Sequence, residues 1–173
     1  MVKSSSLSPV SLLIRLAKAL LSLFIGLTAV IIVFNNLTAY RTNLNFVKHV
    51  LSMDTTFPDN PTQYRAIKSS PIHHTIYISI ICVETLIAVL CTKGGIDLFK
   101  HLEADSQTFH EAKRSSISGM LLALLLWFFG FQGIAAEWFG MWQSKEWNGL
   151  PDATRLTQFI ITTLIFVSLK NDD

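Results

Sequence analysis

Four long apolar stretches separated by polar segments dominate the chain, at residues 19–40, 71–92, 115–137 and 153–169. A helix that crosses a bilayer needs about 20 mostly apolar residues. The first three stretches reach that length, and the fourth does so only with Thr154 and its neighbours at the interface. The pattern predicts an all-α membrane protein with a single domain over residues 1–173. Four transmembrane helices would form a left-handed bundle, with a large, partly helical first outer loop. In that loop Phe46, Val47, Val50, Leu51 and Met53 recur at helical spacing, which predicts an amphipathic helix over 43–53. Asn60-Pro61 is a start signal for a short helix through Ile67, and Ser70-Pro71 is one for the second span. Gly94-Gly95 reads as the end of the second helix, and the mixed segment after it as a surface helix. Ser4 to Ser6 read as a flexible tail.

Within the spans, small residues form two regular stripes. Ser22, Gly26, Ala29, Val33, Asn36 and Tyr40 advance in steps of 4, 3, 4, 3 and 4. Gly119, Ala123, Leu126, Gly130, Gly133 and Glu137 advance in the same steps. That average of about 3.5 residues is the period of a left-handed helix pair. Small side chains let backbones approach where lipid supplies no hydrophobic drive. The stripes therefore predict that the first and third spans pack against each other through Gly26, Ala29, Gly119, Ala123, Gly130 and Gly133.

Composition supports the membrane reading. Half of the residues are hydrophobic and 15% are charged, against roughly 25% charged in soluble domains. The net charge is only +2, and no basic stripe suggests nucleic acid. Charge placement bears on orientation. Lys3, Arg15, Lys18, Lys93, Lys100, Lys113, Arg114 and Lys170 fall on one side, eight of fourteen basic residues. The positive-inside rule then places both termini in the cytoplasm. Leu37-Thr38-Ala39 lacks a small-x-small cleavage site, so the first helix is expected to remain uncleaved. Cys82 and Cys91 share one helix about 13 Å apart and do not bridge.

The candidate chemistry centres on Glu84, near the middle of the second span. A charged group at that depth costs about 3 kcal/mol on insertion scales, so it faces protein or water. His73, Tyr77 and Glu84 share a face, and Gln132 and Gln158 are candidate partners from the third and fourth spans. The expected role is a neutral, hydrogen-bonded pin that fixes helix register. The sharper alternative is a proton- or cation-linked site. His49, His73 and His74 with Asp54 could gather on the outer side as a metal site, but adjacent His73 and His74 point about 100° apart, so at most one of them shares a ligand set. No metal and no cofactor are expected. The sequence holds no Ser-His-Asp arrangement, Gly-rich phosphate loop or HExxH motif, and no catalysis is expected.

The outer segments carry a resemblance. The run from Asn45 through His49, Asp54 and Phe57 to Pro58, and the run Glu137-Trp138-Phe139-Gly140-Met141-Trp142-Gln143-Ser144 followed by Trp147-Asn148-Gly149, resemble a bacterial family of predicted small integral membrane proteins, DUF2165. The resemblance covers nearly the whole chain. It implies four spans in a bacterial inner membrane and carries no assigned activity. The layout is also similar to that of claudins and tetraspanins, without their outer-loop cysteine signatures.

His49, Asp54, Phe57, Glu137, Trp138, Trp142, Trp147 and Asn148 are accordingly the candidate docking residues. The expected function is that of an accessory or scaffold subunit. Its partners would be the lipid bilayer and other integral membrane subunits or further copies of this chain, with no nucleic acid. The alternative is a small proton- or ion-linked transporter or sensor that uses Glu84.

Overall fold

The computed structural model describes residues 7–172, so the expected tail at Ser4 to Ser6 lies outside the described residues. The protein is 79% helical, and no strand occurs among the described residues. Helix α1 spans Pro9–Thr38, α2 Tyr40–Ser52, α3 Ser70–Lys100, α4 Ser106–Ala112, α5 Arg114–Leu124 and α6 Leu150–Ser168. Helix α5 continues without a break into a π-helical stretch, Leu125–Trp138. Single 3₁₀ turns occur at Gln63–Arg65 and Met141–Gln143.

Local sequence signals set the helix starts. The Ser8 hydroxyl accepts from Ser11 N at 3.0 Å and caps α1, with Pro9 in its first turn. Pro71 sits in the first turn of α3, and Asp105 caps α4 by accepting from Gln107 N and Thr108 N. The start signal at Asn60 yields only the single 3₁₀ turn. Ala66 leaves helical geometry with ψ of 131°, and Ile67 N then donates to Leu51 O at 2.8 Å.

Among the described residues, three helical segments are long and apolar enough to cross a membrane: Pro9–Thr38, Ser70–Lys100 and Ser106–Trp138, with mean hydropathies of 2.4, 2.1 and 1.9. Their outward faces carry Phe24, Ile31, Phe34, Val89, Leu125, Phe128 and Phe129, all exposed. Apolar patches of that extent fit contact with lipid. Helix α6 has 19 residues and an apolar second half, but Asp152, Arg155 and Gln158 occupy its first half.

The helix pairing differs from the one the small-residue stripes suggest. Helix α3 is the hub: α1 packs on one side of it and α5 on another, while α6 leans on α5, its π-helical extension and α1. The first stripe does mark a close approach, but toward α3. A Cβ on Gly26 would lie 2.5 Å from Thr92 N. Gly119 likewise abuts Cys91 of α3, where a Cβ would lie 2.5 Å from the sulfur. Gly94 and Gly95 do not end α3; they lie inside it. Gly94 faces Ser116 of α5, Gly95 faces Leu23 of α1, and an added Cβ would lie 2.3 and 2.8 Å from their backbone nitrogens. The two consecutive glycines thus let one helix take a neighbour on each side.

The second stripe holds through Leu126, which is buried in the core, and fails beyond it. A Cβ on Gly130 or Gly133 would come no nearer than 3.6 Å to anything, and the atoms it would meet belong to the same helix. The reason is the hydrogen-bond pattern, in which Phe139 N donates to Ile134 O, five residues back. Each π-turn holds more residues than an α-turn, so a stripe drawn at 3.5 residues leaves the interface. The buried positions there are Leu126, Trp127 and Ala136.

Candidate docking face and intramembrane polar site

Helix α2 follows α1 after a break at Ala39 and turns its apolar side onto the bundle. Val47, Val50 and Leu51 pack with Tyr77 and Ile81 of α3 and with Ala136, Phe139 and Met141. Residues 53–69 and 139–149 are thereby brought together at this end of the molecule, the α2 end. Gly140 adopts φ of +66°, where a side chain is strained, and begins the turn Met141–Gln143.

Gln143 and Ser144 then act as the clamp between the two segments. Gln143 Oε1 accepts from Phe57 N at 3.1 Å and from Asn60 Nδ2 at 3.3 Å. Ser144 Oγ accepts from Thr55 Oγ1 at 2.8 Å and from Trp147 N at 2.9 Å.

Aromatic contacts brace the same surface. His49 stacks on Trp147 with ring centres 4.5 Å apart, and its Nδ1 lies 2.9 Å from Asp54 Oδ2. The Arg65 guanidinium lies 4.3 Å from the centre of the Trp138 ring and donates to Trp138 O at 3.3 Å. Such cation–π contacts contribute about 0.5–1 kcal/mol at exposed sites. Phe57 meets Trp142 edge to face at 5.7 Å. Just ahead of α6, Asn148 Oδ1 accepts from Leu150 N at 3.0 Å.

The expected docking residues therefore divide into two groups. His49, Asp54, Trp147 and Asn148 hold the surface together. Phe57, Trp138 and Trp142 present it, at 52%, 52% and 45% exposure, with Tyr64 beside them at 78%. Glu137 is exposed on the last turn of the π-helical stretch. The two segments adjoin through the clamp and through α2, not through direct pairing of the first and third spans.

Inside the bundle, Glu84 is 3% exposed. Its partner is Asn36 of α1, whose Nδ2 donates to Glu84 Oε2 at 2.6 Å. Tyr77 OH donates to Asn36 O at 2.9 Å. The structure thus brings Tyr77 and Glu84 together through Asn36 and leaves the other expected members apart. His73 is buried and donates from Nε2 to Ile67 O at 2.7 Å. Gln132 bonds Thr157 Oγ1 of α6 at 2.8 Å, and Gln158 is exposed. Asn36 was readable in sequence only as a polar member of the first stripe. Once α1 packs on α3, that position faces Glu84.

A second polar cluster, at the opposite or tail end, went unrecognised in the sequence. Arg15, Lys18 and Lys113 are fully buried, and Asp172 is 1% exposed. Lys18 Nζ contacts Asp172 Oδ1 at 2.6 Å and Leu169 O at 2.7 Å. Lys113 pairs with Asp172 Oδ2 and donates to Leu169 O at 2.8 Å. Arg15 Nε donates to Asp172 O at 2.8 Å, and its Nη1 to Leu102 O at 2.8 Å. Burial alone would push the Asp172 carboxyl up; the hydrogen bonds and charges of Lys113 and Lys18 outweigh it and hold the group below the usual carboxylate value. In sequence these cations read as charges at the membrane edge, and their partner lies more than 150 residues away from Arg15 and Lys18.

Among the described residues, no group of three or more His, Cys, Asp and Glu side chains is placed to hold a metal ion. No curated protein and no solved structure matches the chain. The family comparison is positive: the profile of DUF2165, described as predicted small integral membrane proteins, matches residues 14–170. With its long lipid-compatible helices and its paired intramembrane carboxyl, the chain belongs to that family of integral membrane proteins.

Proposed function

We propose that the protein is a non-catalytic accessory or scaffold subunit of a bacterial inner membrane, docking a larger membrane complex through its α2-end face. The observation that carries this reading is the pre-braced aromatic surface. Phe57, Trp138 and Trp142 stay half exposed while Gln143, Ser144, His49 and Arg65 fix the backbone beneath them. Aromatic side chains on a rigid support are typical interface anchors, because little entropy is lost when they are covered. The positive-inside rule places both termini in the cytoplasm and this face on the opposite side. Helix α6 completes a four-span bundle, with Asp152 and Arg155 at the interface.

The test is purification in mild detergent of the wild type and of Phe57→Ser/Trp142→Ser. A stoichiometric membrane partner that the double variant loses, while its helical content stays the same, supports the reading. Recovery of this chain alone, or only as its own oligomer, contradicts it.

The second reading is a proton- or ion-linked transporter or sensor, and buried Glu84 with its Asn36 partner favours it. An ionisable side chain within a membrane span is the kind of group that lines proton and ion pathways. Glu84→Gln keeps the hydrogen bond and removes titration. A pH-dependent transport or signalling output that this variant leaves unchanged removes the second reading.

A further inference from the structure

Among the described residues, the tail-end cluster carries more positive charge than its partners neutralise. Three buried cations, Arg15, Lys18 and Lys113, converge on one residue, Asp172, which supplies the single carboxylate that the described residues place among them. Arg15 Nη2 is buried without a hydrogen-bond partner. Removing a cation from water is costly unless an anion and hydrogen bonds replace the hydration. The Phe109 ring, 4.7 Å from the Arg15 guanidinium and 5.6 Å from Lys113 Nζ, offsets only part of that cost. The cluster is thus built for more negative charge than Asp172 provides.

An apolar groove starts beside it. Leu21, Phe24 and Ile25 of α1 face Phe159, Ile160 and Thr163 of α6 across a cavity of about 300 Å³. Leu21 lies one turn from Lys18 along α1, and Thr163 lies one turn from Phe166, whose ring centre is 5.5 Å from Lys18 Nζ. The same two helices therefore carry the cations at the tail end and the groove toward the middle of the bundle. Cations at the edge of a membrane-spanning bundle with an apolar channel leading inward match a lipid with an anionic headgroup.

We propose that this end of the protein binds one anionic phospholipid, its phosphate held by Arg15, Lys18 and Lys113 and one acyl chain lying in the α1/α6 groove. Asp172 occupies the headgroup position in the structure. The chain leaves α6 at Leu169, whose ψ of 140° is extended, and the segment from there to Asp172 acts as a built-in competitor that the lipid displaces. The groove selects a lipid over a free phosphate, because the inorganic ion leaves it empty.

The test uses the full chain in detergent, with bound lipid read by native mass spectrometry and stability by thermal unfolding. Phosphatidylglycerol, phosphatidylcholine of the same chains, and inorganic phosphate are added separately. Phosphatidylglycerol should bind one to one and raise the melting temperature, and the other two should not. Asp172→Asn removes the competing charge and should tighten phosphatidylglycerol binding by about fivefold, as expected for one charge near a lipid headgroup. Thr163→Trp fills the groove without touching the cations and should abolish the lipid effect.

Equal stabilisation by the two lipids would overturn the proposal. So would a phosphate effect as large as that of phosphatidylglycerol, which would make the site one for free anions. Unchanged phosphatidylglycerol binding in Thr163→Trp overturns it too. If Asp172→Asn does not fold, the wild-type lipid comparison and Thr163→Trp decide the matter.

Discussion

Asn36 of α1 donates a 2.6 Å hydrogen bond to Glu84 of α3, joining the two most closely packed helices through a buried carboxyl. This contact ties α1 to α3 inside the bundle. Tyr77 holds Asn36 in turn by donating to its carbonyl. Glu84→Leu leaves the Asn36 amide without its acceptor and should lower stability by about 1 kcal/mol, the scale of polar contacts between membrane helices. Glu84→Gln should cost less. A double-mutant cycle with Asn36→Leu, measured by thermal unfolding in detergent, should return a coupling energy of that size; additive effects would show that the pair does not interact.

The glycines divide by neighbour. Gly94→Ala and Gly26→Ala place a Cβ 2.3 and 2.5 Å from backbone nitrogens of the facing helices. Each should cost about 1–3 kcal/mol, as overpacking does. Gly130→Ala and Gly133→Ala meet nothing closer than 3.6 Å and should leave the melting temperature within error. A reversed order would restore the pairing of the first and third spans.

Asp172 gives a pH signature at the tail end. Its pKa is held down by Lys113 and Lys18 against the effect of burial. A group depressed in this way stabilises the fold above its unfolded value, about 3.9, and loses that contribution as pH falls through its folded value. The stability difference between wild type and Asp172→Asn should therefore be constant from pH 7 to about 5 and collapse in the acid range below about 4. Because the pair is buried, added salt should change the difference little.

The clamp at the α2 end should depend on Gly140. Gly140→Ala forces a side chain into φ of +66°, at about 1–2 kcal/mol, and Gln143→Leu removes the acceptor for Phe57 and Asn60. Both variants should raise hydrogen exchange in residues 53–69 and leave α3 protected. Unchanged exchange there would mean that the two segments are ordered independently.

The sequence made some of this legible for clear reasons. Apolar length exposed the long helices, and the cost of a mid-span charge pointed to a buried Glu84. The spacing of Val47, Val50 and Leu51 marked the face that α2 buries. Helix pairing was not legible, because a stripe of small residues signals close approach without naming the neighbour. Gly26 and Gly119 both approach α3, from different sides. Gly94-Gly95 looked like a helix end because glycine is a frequent stop signal, and only the presence of two neighbours explains its place inside α3. The π-helical stretch leaves no mark on hydropathy, yet it turns Gly130 and Gly133 out of the interface. Arg15, Lys18 and Lys113 read as membrane-edge charges because their partner Asp172 comes from the far end of the chain.

The docking role of the α2-end face is tested most directly by site-specific photo-crosslinking in native membranes. A photoreactive residue replaces Trp142 in one strain and lipid-facing Phe34 in another. The account predicts a single defined adduct with another integral membrane protein from position 142, lost when Phe57 is changed to Ser, and only lipid adducts from position 34. Lipid or self adducts alone from position 142 would contradict it.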